Sequence, residues 1–158
     1  MKAFGCSLNL SYSECKKIKS LLIVAKSKVA PAKKVKTLPR LQLCMSHLLA
    51  KLWCMVKPKL DKYTIENINF WGDSNIVLHW LKTHPSALHT FVSNRVAVIR
   101  EKTLEHTCLQ HRIQPTLYHV DEEINSSIWF TGPEFLQKSF NEWPKNPNFE
   151  LTTETLSL

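Results

Sequence analysis

The order of predicted elements along the chain indicates an α/β fold. Near the N-terminus, apolar residues either alternate with polar ones or form a β-branched run, as is typical of strands. Further on, apolar residues recur at steps of three and four, as is typical of helices. The predicted order is strand, strand, helix, strand, helix, helix, strand. The 158 residues, 44% of them hydrophobic, suffice for one domain with a core.

Two strands are predicted first, followed by a cationic connector. Residues 3–11 partly alternate, and residues 20–30 form a β-branched run that predicts a buried strand leaving the core at Lys26. The connector from Lys26 to Arg40 is interrupted by prolines, which favour a loop. Its cationic members are Lys26, Lys28, Lys33, Lys34, Lys36 and Arg40.

The first helix is predicted to begin at Pro39, whose fixed φ suits a first helical turn. Its apolar stripe continues to Val56, and we expect it to end before Pro58. Residues 65–71 alternate between apolar and polar and predict a third strand, which stops at Gly72.

Two more helices and one more strand complete the predicted fold. A helix over 75–82 is expected to be capped by Asp73 or Ser74. A longer helix follows at about 88–104, and residues 115–120 predict a short strand.

Composition excludes several functional classes. No apolar run approaches the roughly 20 residues that span a membrane, and the N-terminus does not resemble a signal peptide. Five irregularly spaced cysteines indicate reduced thiols in an intracellular chain of the cytoplasm or nucleus, which is not secreted. His106, Cys108 and His111 match no standard zinc spacing. The net charge of +8 favours an anionic partner, although surplus lysine is also an ordinary solubility device.

Residues 71–74, Trp-Gly-Asp-Ser, form the most informative short motif. They place Asp73 where a predicted strand ends and a helix begins. Ligands and metals bind at the carboxyl ends of strands in open α/β sheets, and a carboxylate there can help to hold Mg²⁺. Alternatively, Asp73 serves only as a helix cap, and the spacing alone leaves both interpretations open.

Several segments together resemble the polyproteins of BEL/Pao-type retrotransposons. They are LLIVAKSKVAPAKKVKTLPRLQLCMSHLLAKL, FWGDSNIVLHWLKTHPSALHTFVSNRVAVIRE, YHV and SSIWFTGPEFL. The similar region of that family, often labelled "Pao retrotransposon peptidase", lies between reverse transcriptase and integrase and resembles ribonuclease H. The resemblance implies a truncated ribonuclease H-like domain over residues 3–137 and a flexible tail over 138–158. It also implies a mixed sheet with flanking helices that lacks its first, central strand.

The resemblance identifies four positions at which ribonucleases H carry acidic residues that hold two metal ions. The first lies upstream of residues 3–5, where this chain has Met1-Lys2, and the fourth falls in a motif missing after Asn125. The second corresponds to Gln42 and the third to Asp73, a weak metal ligand on its own. Because three of four acids are missing, we expect no hydrolysis and no cofactor, whereas intact relatives use Mg²⁺.

The resemblance also suggests residues that contact nucleic acid, with an RNA/DNA hybrid or another nucleic acid as partner and no small-molecule cofactor. They are Lys26, Lys28, Lys33, Lys34, Arg40, Ser74, Asn94 and Arg95. The alternative is that these residues form a solvated connector and an exposed helix face. The expected function is an inactive retrotransposon remnant with at most residual nucleic-acid binding. Two alternatives are a nuclease active only within a larger polyprotein and a host-adopted protein-interaction module.

Overall fold

The computed structural model describes residues 3–30, 37–72, 74–103 and 132–143. Within them the chain is mixed α/β, as the sequence predicts. The elements are strands β1 (Ala3–Glu14) and β2 (Lys17–Val29) and helices α1 (Leu38–Leu60), α2 (Asn75–Lys82) and α3 (Thr90–Thr103). Single 3₁₀ turns occur at Pro85–Ala87, Glu134–Gln137 and Phe140–Glu142. The predicted strand at 115–120 lies outside the described residues.

Strands β1 and β2 pair antiparallel as a hairpin, with a register shift between Leu8 and Asn9. The turn consists of Cys15 and Lys16, which both have positive φ, at 49° and 62°. Positive φ at both turn residues matches the right-handed twist of the strands on either side. The first predicted strand is therefore confirmed and extends three residues further, to Glu14.

The prediction of a buried second strand is wrong in one respect. The strand exists, but none of its residues is fully buried, and the Leu21 side chain is 53% exposed. A β-branched run predicts a strand without saying how many layers cover it. Here α1 packs mainly on β1, so much of β2 remains open to solvent.

Helix α1 begins at Leu38, one residue before the predicted start, and ends later than expected. Pro39 lies in its first turn, and the helix continues through Pro58 to Leu60. A proline removes one backbone donor and is most disruptive in a helix interior. Pro58 is tolerated because it lies in the last turn, two residues before the helix ends.

The third predicted strand, residues 65–71, is not formed. Aromatic contacts hold this segment instead. The Phe70 ring meets the Trp53 ring of α1 edge-on with centroids 6.1 Å apart, and the Trp71 and Phe135 rings lie 5.1 Å apart. The alternating pattern therefore arises because Phe70 packs on α1 and Trp71 packs on the segment 132–143. It does not indicate that residues 65–71 join a sheet.

The predicted helices α2 and α3 are confirmed, and with α1 they enclose the core. Its central residues are Leu43, Ala50, Val77, Trp80, Val92, Val96 and Ile99. In the described part of the chain, no helix is both long and apolar enough to cross a membrane.

The segment 132–143 packs against both the hairpin and Trp71. The Ser11 hydroxyl donates to the Leu136 carbonyl at 2.6 Å, and the Trp143 ring lies 6.0 Å from Trp71. The segment includes residues 138–143 of the predicted tail, and residues 144–158 lie outside the described residues. A tail beginning at 138 stays a prediction.

Candidate functional site

A cleft between α1 and the start of α2 contains the positions that the sequence singled out. Gln42 lies in the first turns of α1, and Ser74 is the N-cap of α2. Both side chains line the cleft, as does Gly72. Asp73 itself lies outside the described residues, but both of its neighbours are at the cleft wall. The structure therefore brings Gln42 to the same cleft as the residues on either side of Asp73.

Local hydrogen bonds position the start of α2 and settle which residue caps it. The buried Ser74 hydroxyl accepts a hydrogen bond from the Val77 amide at 3.3 Å. This contact satisfies one of the amides that a helix N-terminus leaves without a partner. Of the two predicted caps, Ser74 is the one observed, and its role here is structural.

The cleft is mainly apolar. Its walls include Leu49, Phe70, Val77 and Leu81. Besides Gln42, Ser74 and the indole N–H of Trp71, the polar groups among the described lining side chains are two hydroxyls that bond within their own helices. The Ser46 hydroxyl donates to the Gln42 carbonyl at 3.2 Å, and the Thr103 hydroxyl donates to the Ile99 carbonyl at 2.8 Å.

The described lining residues do not match the donors that Mg²⁺ prefers. Magnesium binds through carboxylate oxygens and water in near-octahedral geometry. Among the lining residues that the structure describes, the side chains with an oxygen atom are one amide and three hydroxyls. Across the described ranges, no group of three or more His, Cys, Asp or Glu residues could hold a metal ion. These residues therefore do not supply the set that a two-metal centre requires.

The predicted nucleic-acid contacts separate into two groups. Lys26, Lys28 and Arg40 are exposed on β2 and α1, and Asn94 is exposed on α3. Lys33 and Lys34 lie outside the described residues. Ser74 is buried at the cleft, apart from the exposed cations.

Arg40 and Arg95 share one aromatic ring. The Arg95 guanidinium carbon lies 3.7 Å from the Phe91 ring centroid, and that of Arg40 lies 5.5 Å from it. Arg95 Nη1 also donates to the Phe91 carbonyl at 2.9 Å. Cation–π contacts of this kind restrain the guanidinium groups. The start of α1 and the first turns of α3 thus present two arginines side by side.

Further cations surround His47, which sequence reasoning did not single out. Burial lowers the pKa of the His47 imidazole below its ordinary value, and four neighbouring cations lower it further. In decreasing order of effect, the four are Lys51, Arg95, Lys28 and Lys102. We call the set Lys28, Arg40, His47, Lys51, Arg95 and Lys102 the basic face. The seven-residue spacing of Arg40 from His47, and of Arg95 from Lys102, was the available sequence signal.

The basic face and the cleft lie on opposite sides of α1. An α-helix turns about 100° per residue, so Gln42 points about 140° away from His47 and about 180° away from Lys51. Gln42 lines the cleft, whereas Lys51 is exposed. The two regions therefore share a helix without sharing a surface.

An antiparallel hairpin, a long helix packed on it, and a cleft where the next helix begins are consistent with a truncated ribonuclease H-like fold. Residues 1–74 match the model of the Pao retrotransposon-like RNaseH-like domain family, and this match supports a Pao retrotransposon ribonuclease H-like region in that part of the chain. The match spans β1, β2, α1 and the residues leading to α2. No curated protein and no solved structure is significantly similar to the chain.

Proposed function

We propose that this chain is a catalytically inactive ribonuclease H-like region of a BEL/Pao retrotransposon polyprotein that retains nucleic-acid binding. The observation that supports it best is Gln42, an amide, in the same cleft as the neighbours of Asp73. Glutamine has the size of glutamate but no charge, so it cannot neutralise a divalent cation.

The rest of the cleft supports the same proposal. Apolar side chains form most of its described wall, and the hydroxyls of Ser46 and Thr103 bond within their own helices. Hydrolysis by two metal ions needs several carboxylates converging on ions about 4 Å apart. Asp73 alone would bind Mg²⁺ too weakly to hold such a pair.

The experiment that tests inactivity is cleavage of a labelled RNA/DNA hybrid by the purified chain with Mg²⁺ or Mn²⁺. We expect no cleavage by the chain, and an equal result from Asp73→Asn. Cleavage by the chain that Asp73→Asn abolishes would overturn the proposal, because acids outside the described residues would then complete the site. Cleavage that persists in Asp73→Asn would indicate a contaminating nuclease and call for repurification.

A further inference from the structure

The charges of this chain are unevenly distributed. Residues 15–60 contain twelve of its 21 lysines and arginines and none of its 13 acidic residues. Helix α1 and strand β2 lie entirely within this stretch. Acidic side chains that would pair with the cations are therefore absent from both elements. Lys19 of β2 pairs with Glu14 of β1, but the other cations of α1 and β2 create a positive potential that attracts anions. Salt screens this attraction only weakly at distances shorter than the Debye length.

The fold gathers these cations with others from α3. Lys28 comes from β2, Lys51 from α1, and Arg95 and Lys102 from α3, yet all four act on the one imidazole of His47. Helices α1 and α3 pack side by side, and α1 also packs on the hairpin. Packing like charges together opposes folding, and a bound anion would offset this repulsion.

The aromatic ring on the basic face indicates which part of a nucleic acid would bind. Proteins that bind single strands without sequence preference stack bases on open aromatic rings. The Phe91 ring instead faces the guanidinium of Arg95 at 3.7 Å and that of Arg40 at 5.5 Å. Stacking on Phe91 is thus already provided by arginine, a side chain whose planar guanidinium suits phosphate oxygens.

The length of the face fits a duplex backbone. Arg40 and Lys51 are eleven residues apart on α1, which places them about 16 Å apart along the helix axis. A duplex presents one phosphate charge per about 1.7 Å of its axis, so several phosphates lie within that span.

From these observations we infer that the basic face binds the phosphate backbone of a nucleic-acid duplex, on the side of α1 opposite to the cleft. The inference rests on the proposed function in taking nucleic acid as the partner. What is new is the surface that binds, the duplex backbone as its ligand, and the independence of this binding from the cleft. Binding there is independent of sequence, since phosphates carry no base information.

The test compares two double variants that remove equal charge. Lys28→Ala/Lys51→Ala removes two exposed cations of the basic face, and Lys62→Ala/Lys82→Ala removes two exposed cations elsewhere. Binding of a fluorescent RNA/DNA hybrid and of a DNA duplex is followed by anisotropy across salt concentrations. We expect the first variant to bind several-fold more weakly and its salt slope to fall by about 1.8, at about 0.9 per lost phosphate contact. We expect the second to bind like the unmodified chain.

A second measurement tests whether duplex covers the same surface and needs no mutation. Acetylation of surface lysines, mapped by mass spectrometry, should slow at Lys28 and Lys51 when duplex is added and remain unchanged at Lys62 and Lys82. Equal weakening of both double variants, or equal protection of all four lysines, would overturn the inference. So would binding to phosphatidylserine vesicles that is as tight as duplex binding and competes with it.

These outcomes are separable from the failure of the proposed function. Cleavage of the hybrid would refute inactivity, yet it would leave the inference standing if Lys28 and Lys51 still determined binding. Absence of both cleavage and duplex binding in the unmodified chain would refute the inference and the retained binding in the proposed function, and it would leave only inactivity supported.

Discussion

The two sides of α1 differ sharply in chemistry. The cleft side presents Gln42 and Ser46 among apolar neighbours, whereas the opposite side presents Arg40, His47 and Lys51. Catalysis by metal ions depends on a few carboxylates placed within a fraction of an ångström. Binding a phosphate backbone depends on a summed charge that tolerates the loss of single members. The first property is therefore easily lost by substitution, and the second survives it.

The largest expected effect comes from breaking the core that both sides share. Leu43 of α1 is fully buried between them, and Leu43→Ala removes packing without touching either surface. Such truncations cost about 2–5 kcal/mol of unfolding free energy. Urea denaturation followed by circular dichroism measures it.

The control for this change is Met55→Ala, on the same helix, because the Met55 side chain is 69% exposed. We expect a change within about 0.5 kcal/mol there. A Leu43→Ala chain as stable as the unmodified chain would mean that α1 does not join the two sides through this core.

A smaller change separates the two sides. Ser74→Ala removes the hydroxyl that caps α2 at the cleft, and lost caps cost about 0.5–2 kcal/mol. We expect lower stability, measured as above, with duplex binding by the basic face unchanged while the chain is folded. Ser74→Thr keeps a hydroxyl acceptor and serves as the matched control. Loss of binding in folded Ser74→Ala would show that the two surfaces are coupled.

The smallest expected effect is a pH dependence of duplex binding, which tests whether phosphates bind beside His47 on the basic face. Burial and neighbouring cations lower the pKa of His47 in the free chain, and phosphate beside it would raise that pKa again. Binding therefore takes up a proton, and affinity should rise as pH falls below the ordinary histidine value of about 6.5. Anisotropy titrations over that range measure this rise.

The matched control is His47→Gln, in which we expect a smaller rise in affinity, with the histidines elsewhere as background. An identical pH profile would place the phosphates away from His47. Stability should change in the opposite direction. Because the folded-state pKa lies below the unfolded value, the unfolded chain binds the proton more readily, and acid weakens the fold through His47.

Periodicity predicted the elements well where one helix face had to be buried. The bounds of α2 followed from apolar spacing, and turn chemistry at Pro39 predicted the start of α1 to within one residue of its observed start at Leu38. The prediction of a strand at residues 65–71 was wrong because alternation cannot distinguish a strand from a segment whose rings pack on Trp53 and Phe135. The prediction that β2 is buried was wrong because a β-branched run does not show which elements pack over the strand.

The family resemblance assigned Gln42 and Asp73 to two of the acidic positions, without indicating a cleft. The structure places Gln42 in one cleft with Gly72 and Ser74, whereas Asp73 lies outside the described residues, so its assignment stays a prediction. The basic face was predicted only in part. Lys28, Arg40 and Arg95 were named, whereas His47, Lys51 and Lys102 were not. Its members come from three elements, and their proximity depends on how α1, α3 and the hairpin pack together.

The most direct test follows binding and cleavage of one labelled RNA/DNA hybrid in the same sample, with Mg²⁺ or Mn²⁺ and at several salt concentrations. We expect a salt-sensitive complex, weakened by Lys28→Ala/Lys51→Ala, in which the hybrid stays intact. Cleavage that Asp73→Asn abolishes would contradict this expectation, because the cleft would then still support catalysis.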